Sequence, residues 1–240
     1  MTTEHATVAE EEYLQTLFWL QEAKLPMTGA NVARAMQLSA PTVHEMIGRL
    51  ERDGYITRAE DKVISFTDSG RDHAEGVVRR HRLIERFLTD VLDIPWDEVH
   101  EEAERLEHAM SPVLEERMLA AIGNAKTCPH GHPIAAGSRA RIDGVPLADV
   151  QEGATVTILR FENEAEDLLH YLKDSGIEPG MTGTLTATSG EEVTVTSDAG
   201  RACSVTFSVA ETVSVLADPS PPPRIALPEQ LVLARERYGR

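Results

Sequence analysis

The chain has only two cysteines, Cys128 and Cys203, and no CxxC pair. A disulfide framework is therefore excluded, and a reducing cytoplasm is the expected compartment. No apolar run approaches the ~20 residues of a membrane span. The opening MTTEHATVAEEE also lacks the basic-then-apolar order of a signal peptide. No membrane partner is expected. Aromatic residues are scarce at 5%, yet 41% hydrophobic residues suffice for real cores. Positive charge is short too: 23 Lys and Arg face 40 Asp and Glu, a net charge of -17. Taken alone, that argues against a nucleic-acid partner, because phosphates attract basic proteins. Any DNA-binding reading must explain how the acidity is overcome. At 240 residues the chain can hold one large domain or two to three small ones.

The N-terminal half reads as helical. Tyr13, Leu14, Leu17, Phe18 and Leu20 recur at helical spacing within residues 8–21. Thr28 is an N-cap for a short helix over about 29–36, and Pro41 suits the first position of a second helix ending near Gly54. The β-prone pieces 55–58 and 63–67 follow, joined by a charged turn. Helix, short helix, turn, helix, two-stranded hairpin is the order of a winged helix-turn-helix. A long helix then covers about 70–91. A further helix carries "HEEAERLEHAM", and Ser111-Pro112 starts another that ends near Ile122. From about Val150 short strands alternate with turns around one polar helix near 164–175, a pattern that suggests a small barrel.

The expected fold is thus a mainly α N-terminal half with a winged helix-turn-helix, followed by a small β-barrel.

In the second helix of the DNA-reading motif Val43, Ile47 and Leu50 form the inner face. Its start carries Ser39, Pro41, Thr42, His44 and Glu45, short groups able to reach phosphates or base edges. Arg49 and Arg52 lie further along, and Lys62 sits at the wing tip. An ordinary helical hairpin with a β-ribbon is the plainer alternative.

Residues three and four apart share a helix face. Glu104, Glu107 and His108 therefore converge, with His100 one turn earlier; His81 and Glu85 form a second pair four apart. Carboxylates packed this closely repel unless something positive lies among them. Arg80, Arg82 and Arg105 can do this as plain salt bridges; a divalent cation with histidine co-ligands does it better. A di-iron bundle needs Glu-x-x-His on two helices, and Arg105 and Asp97 stand where those glutamates would be. The HExxH of zincins is also absent. "TCPHGHP" adds Cys128, His130 and His132; a turn into the linker is the expected reading, a metal or thiol role the alternative.

The stretches "EEYLQTLFWL", "SAPTVHEMIGRLERDGYI", "FTDSG", "VVRRHRLIERFLTDVLDIPWDEVHEEAERLEHAMS" and "CPHGHPI" resemble the diphtheria toxin repressor family of metal-dependent regulators, in its manganese-responsive branch. The likeness covers about residues 8–134 closely, and the family's C-terminal domain fits about 150–217 in pattern. The resemblance implies a helical dimerisation domain after the winged helix-turn-helix and an SH3-like (FeoA-like) C-terminal barrel, with expected domains 1–70 (winged helix-turn-helix), 71–125 (helical, metal-binding and dimerising), 126–149 (linker), 150–217 (SH3-like) and 218–240 (Pro-rich tail, with a short helix near 229–238). It implies two metal positions per subunit. One involves Glu12, Glu104, Glu107 and His108; the other involves His81, Glu85 and His100. In the family's iron-responsive branch the position of Glu12 is a methionine and that of Glu104 a cysteine. Carboxylates at both leave a set without sulfur, which suits Mn²⁺, with Fe²⁺ as the alternative. Glu45 replaces a glutamine that helps some members read DNA, and Gly29 and Asn31 stand where iron-type members have arginines. Glu162, Glu164, Glu166 and Asp167 are candidates for a ligand from the SH3-like domain.

The expected function is therefore a metal-activated, homodimeric repressor of double-stranded operator DNA, in which metal binding joins the N-terminal helix to the helix of Glu104–His108. The apolar stripes Leu83, Ile84, Phe87, Leu88 and Leu106, Met110 are the expected dimer face. A metal-dependent enzyme is the rival from another class, but no separate nucleophile or base stands out. A winged-helix regulator sensing a small molecule is a second.

Overall fold

The computed structural model describes residues 6–135 and 143–220. The expected helix near 229–238, the rest of the Pro-rich tail and the middle of the expected linker lie outside them. Eight helices and eight strands are described, in the order α1 (Val8–Glu22), α2 (Gly29–Ala35), α3 (Ala40–Arg52), β1 (Ile56–Arg58), β2 (Ile64–Phe66), α4 (Asp68–Leu92), α5 (Val99–Glu107), α6 (Pro112–Ala121), β3 (Val145–Pro146), β4 (Thr155–Phe161), α7 (Glu166–Ser175), β5 (Thr182–Thr188), β6 (Glu192–Ser197), β7 (Ala202–Thr206), α8 (Phe207–Ala210) and β8 (Val213–Asp218).

Hydroxyl caps start most of the N-terminal helices. Thr7, Thr28, Ser39, Thr67 and Ser111 each accept a backbone N–H from the first turn that would otherwise lack a partner. On α1 this becomes a full capping box, with Glu10 answering the Thr7 backbone. Helices α2 and α3 pack Val32 against Val43, Ile47 and Leu50, and the hairpin pairs Ile56 with Phe66 and Arg58 with Ile64. Gly70 lets α4 start directly beneath the hairpin, since a Cβ there would lie 1.8 Å from the Tyr55 carbonyl oxygen.

Helix α4 is the central rod. Its residues 81–85 are buried all the way round, because α1, α5, α6 and the turn at 126–135 surround them. Leu83, Ile84 and Leu88 meet Val99, Ala103, Met118 and Ile122 of the same chain. Of the six residues expected to form a dimer face, Leu83, Ile84 and Leu88 are therefore spent inside the protomer, while Phe87 and Met110 are partly buried and Leu106 is 43% exposed. On α6, Val113 and Leu114 are exposed as well, at 67% and 45%.

In the C-terminal part six antiparallel strands bond in the order β3-β8-β4-β5-β6-β7. Alternate residues of β4, β5, β6 and β7, such as Val156, Ile158, Leu185, Val195 and Val205, close on Leu169 and Leu172 of α7. Among the described residues the end strands β3 and β7 do not pair, so the sheet is antiparallel without the closure expected of a barrel.

Residues 126–135, expected as linker, are instead a packed turn. Thr127 bridges Pro133, and the amide of Cys128 donates to the His132 carbonyl at 2.7 Å. Cys128, His130, His132 and Ile134 are all buried. The reason is docking against β4: the Phe161 amide donates to the His130 carbonyl at 3.1 Å, and Trp96 stacks on Phe161.

Candidate metal centres

The first cluster joins α1 to the end of α5. His108, at the α5 C-cap, turns Nδ1 to Glu11 Oε2 at 2.7 Å and Nε2 to Glu12 Oε1 at 2.8 Å. Glu107 Oε1 lies 3.3 Å from the same Nε2. Gln15, one turn along α1 from Glu11 and Glu12, donates its amide to Glu107 Oε2 at 3.2 Å. Arg80 reaches across from α4 to Glu11 Oε1 at 3.0 Å. Donor atoms of Glu12, Glu107 and His108 fall within 4.8 Å of one another, close enough for one cation.

The second cluster lies one helical turn along α4. His81 Nε2 and His100 Nδ1 stand 3.0 and 3.2 Å from Glu85 Oε1. Glu164, in the connection between β4 and α7, approaches His100 Nδ1 at 3.6 Å and His132 Nε2 at 3.3 Å. Donor atoms of His81, Glu85, His100 and Glu164 again fall within 4.8 Å of one another. The two clusters share a strut: His81 Nδ1–H donates to Glu107 Oε2 at 2.7 Å. This bond turns Nε2 of His81 into the second cluster, the way an outer partner commonly orients a ligating imidazole.

The charges show what the clusters lack. Burial disfavours a proton on His81, but Glu85 and Glu107 outweigh it and raise its pKa to about 9. Burial opposes His100 in the same way; Glu104 and Glu85 outweigh it and raise its pKa to about 10. Burial would raise Glu85, yet His130, His81 and His100 hold it well below the usual carboxylate range. Imidazolium protons thus supply the positive charge that these carboxylates require. Glu85 Oε2 and Glu107 Oε1 are buried without a hydrogen bond. Orphaned buried carboxylate oxygens beside imidazoles are donor sets suited to a divalent cation, which would replace those protons.

Of the seven residues expected to ligate metal, the structure brings Glu12, Glu107 and His108 together and, separately, His81, Glu85 and His100. Glu104 does not join Glu12, Glu107 and His108. It is half-exposed and turns to His100, with Oε1 3.5 Å from Nε2. The sequence pattern gave no role to Gln15, three residues past Glu12, or to Glu11, its neighbour, which is four residues before Gln15. His130 also reaches the second cluster, with Nδ1 3.3 Å from Glu85 Oε1.

The candidate DNA-reading surface is the outer face of α3. Ser39, Pro41, Thr42, His44, Glu45 and Arg52 are exposed there, and Lys62 is exposed at the hairpin tip with φ of 68°. Arg49 is less free: its Nε meets Glu10 Oε1 at 2.9 Å and Asp53 Oδ2 at 3.6 Å.

Three family models match consecutive parts of the chain. They are the iron dependent repressor N-terminal DNA binding domain over 5–64, the iron dependent repressor metal binding and dimerisation domain over 67–136, and the FeoA domain over 145–217. The iron-dependent repressor IdeR of Mycobacterium tuberculosis is 36% identical over 199 residues, 77% of this chain and 86% of its own length. The chain belongs to the iron-dependent repressor family. The diphtheria toxin repressor of Corynebacterium diphtheriae is 39% identical over 124 residues, 52% of this chain and 55% of its own. Among solved structures, a manganese-dependent transcriptional repressor in complex with manganese superposes with a TM-score of 0.78 at 30% identity, covering 87% of this chain and 99% of that one. IdeR of T. acidophilum superposes at 0.74 with 29% identity, covering 89% and 100%. These relatives are transcriptional repressors, so membership in the iron-dependent repressor family removes the enzymatic rival.

Proposed function

We propose that this member of the family is a homodimeric transcriptional repressor activated by Mn²⁺, two ions per subunit, acting on double-stranded operator DNA in the cytoplasm. The observation that carries the reading is the first cluster, which gathers Glu12 of α1 with Glu107 and His108 of α5. A divalent cation supplies there the positive charge that lets the carboxylates stay together. Glu12 and Gln15 then hold α1 against α5, and α1 in turn braces α3 through Glu10 and Arg49. The helix-turn-helix is thereby fixed relative to α6, whose exposed Val113 and Leu114 offer the face for a second copy. In such a dimer two α3 helices can address successive major grooves.

Mn²⁺ is favoured because the first cluster offers carboxylates, an amide and one imidazole, with no sulfur. Fe²⁺ is the second reading, supported by the iron-dependent relatives at 36% identity. The domain limits 1–70, 71–125 and 150–217 are part of the proposal; three cores support three units, although the first core extends to Val78, the second to Ile134 and the third begins at Leu147. Ser39, Pro41, Thr42, His44, Glu45, Arg52 and Lys62 are proposed to contact DNA, and Arg49 to position α3. Two divalent ions per subunit offset four negative charges, part of the answer to the net charge of -17.

The test is fluorescence anisotropy on the chain's own promoter DNA, titrated anaerobically with Mn²⁺, Fe²⁺ and Zn²⁺. Affinity should rise with Mn²⁺ and fall when a chelator is added. DNA binding indifferent to chelator overturns the reading; Fe²⁺ acting at lower concentration than Mn²⁺ selects the second one.

A further inference from the structure

Glu11 touches the first cluster but is not one of its converging donors, which are Glu12, Glu107 and His108. Consecutive positions on a helix point about 100° apart, so Glu11 and Glu12 leave α1 in different directions. They meet the same imidazole from two sides. Glu12 Oε1 lies 2.8 Å from His108 Nε2, and Glu11 Oε2 lies 2.7 Å from Nδ1. Glu107 Oε1 is also on the Nε2 side, at 3.3 Å. The donors thus gather at Nε2, while Glu11 holds Nδ1. A second contact fixes Glu11 in turn. Its Oε1 accepts from Arg80 Nη2 at 3.0 Å, and Arg80 Nε donates to the Glu107 carbonyl at 3.2 Å. One guanidinium therefore ties this carboxylate of α1 to the backbone at the end of α5. The second cluster repeats the arrangement: His81 gives Nδ1–H to Glu107 and turns Nε2 to Glu85. Glu11 and Arg80 also border an open groove beside Asp72 and His73, so loss of the carboxylate would open Nδ1 to water.

We propose that Glu11 is the positioning residue of the first metal centre: it accepts the Nδ1 proton of His108, fixes one tautomer and leaves the Nε2 lone pair for the cation. A neutral imidazole has one donor and one acceptor nitrogen, and the partner of the donor decides which is which. A carboxylate in that place also makes the free nitrogen a stronger ligand. Arg80 already matches the charge of Glu11, so a cation seeking Glu11 as a ligand would have to compete with the guanidinium. Glu12 has no such partner among the cations described and stays available to the ion. The inference rests on the reading of the first cluster as a metal centre, and it adds a residue that acts on the ion only through His108.

Two measurements on the full chain test this, and neither uses DNA. Diamagnetic Zn²⁺ is the probe for long-range proton–nitrogen NMR of the histidine-labelled protein, with His108→Gln assigning the signals. The loaded wild type should carry the His108 proton on Nδ1 and the metal on Nε2. Ligation through Nδ1 refutes the role of Glu11 alone. Zn²⁺ that shifts neither nitrogen of His108 refutes the metal centre itself, and the inference with it. Mn²⁺ affinity, read from the electron paramagnetic resonance signal of the free ion, is the second measurement. It should fall about tenfold or more in Glu11→Ala but stay within about threefold in Glu11→Gln, whose amide oxygen still accepts from Nδ1. An equal loss in both variants makes Glu11 a ligand and overturns the proposal, as does an unchanged affinity in Glu11→Ala. If Glu11→Ala fails to fold, the Zn²⁺-loaded wild type and Glu11→Gln decide.

Discussion

At the scale of single residues, Glu107 has the densest set of duties. It is fully buried, accepts from Gln15 and His81, and faces His108. Glu107→Gln keeps the volume and removes the charge that both clusters use. We expect Mn²⁺ affinity to fall at least about tenfold by isothermal titration, with DNA binding lost at metal concentrations that saturate the wild type. Glu12 is 38% exposed on its side chain. Glu12→Ala should therefore leave thermal stability within about 0.5 kcal/mol while weakening metal-dependent DNA binding; a large drop in melting temperature would instead make Glu12 a structural residue. Gly131→Ala places a Cβ against the Leu159 carbonyl at a φ of 94°. A loss of about 1–3 kcal/mol is expected, visible as a lower melting temperature.

Elements differ in how much of them local sequence reveals. Helix α3 was legible because its inner face is periodic and its cap and first-turn proline are contiguous with it; Val43, Ile47 and Leu50 are buried as their spacing requires. His81, Glu85, Glu107 and His108 were legible for the same reason, as i, i+4 and adjacent positions on helices. The turn at 126–135 was not, because its burial comes from β4 and Trp96, partners about 30 residues away. The direction of Glu104 was illegible too: helix spacing offers it to both clusters, and only the position of His100 decides. Periodicity likewise showed that Leu83, Ile84 and Leu88 face something apolar, without saying that α5 and α6 of the same chain supply it. For the outer face of α3 the expectation concerns salt. Arg52→Ala and Lys62→Ala should each weaken DNA binding across all sequences and flatten the slope of log affinity against log salt by about one. A change confined to one operator base would give them a reading role instead.

At the scale of the whole molecule there are three cores, and α4 joins two of them, through Ala74 and Val78 in one and Leu83, Ile84 and Leu88 in the other. Helix α6 buries only Met118 fully and exposes Val113 and Leu114. Such a helix calls for a cover, and the family model over 67–136 includes dimerisation. Val113→Glu with Leu114→Glu should convert the dimer to monomer in sedimentation velocity and abolish metal-dependent DNA binding, while circular dichroism stays unchanged.

The C-terminal part closes over the second cluster as a cap. Glu164 reaches in from above the histidines, and Lys173 of α7 grips the buried Asp97 at 2.5 Å just before α5. His100 and Glu164 stay 19% and 16% exposed on their side chains, so the cluster lies at the edge of this cap and is not sealed beneath it. A cation held there would tie the C-terminal part to α4 and α5 through Glu164, and metal supply would then also decide how firmly the two halves of the chain stay together.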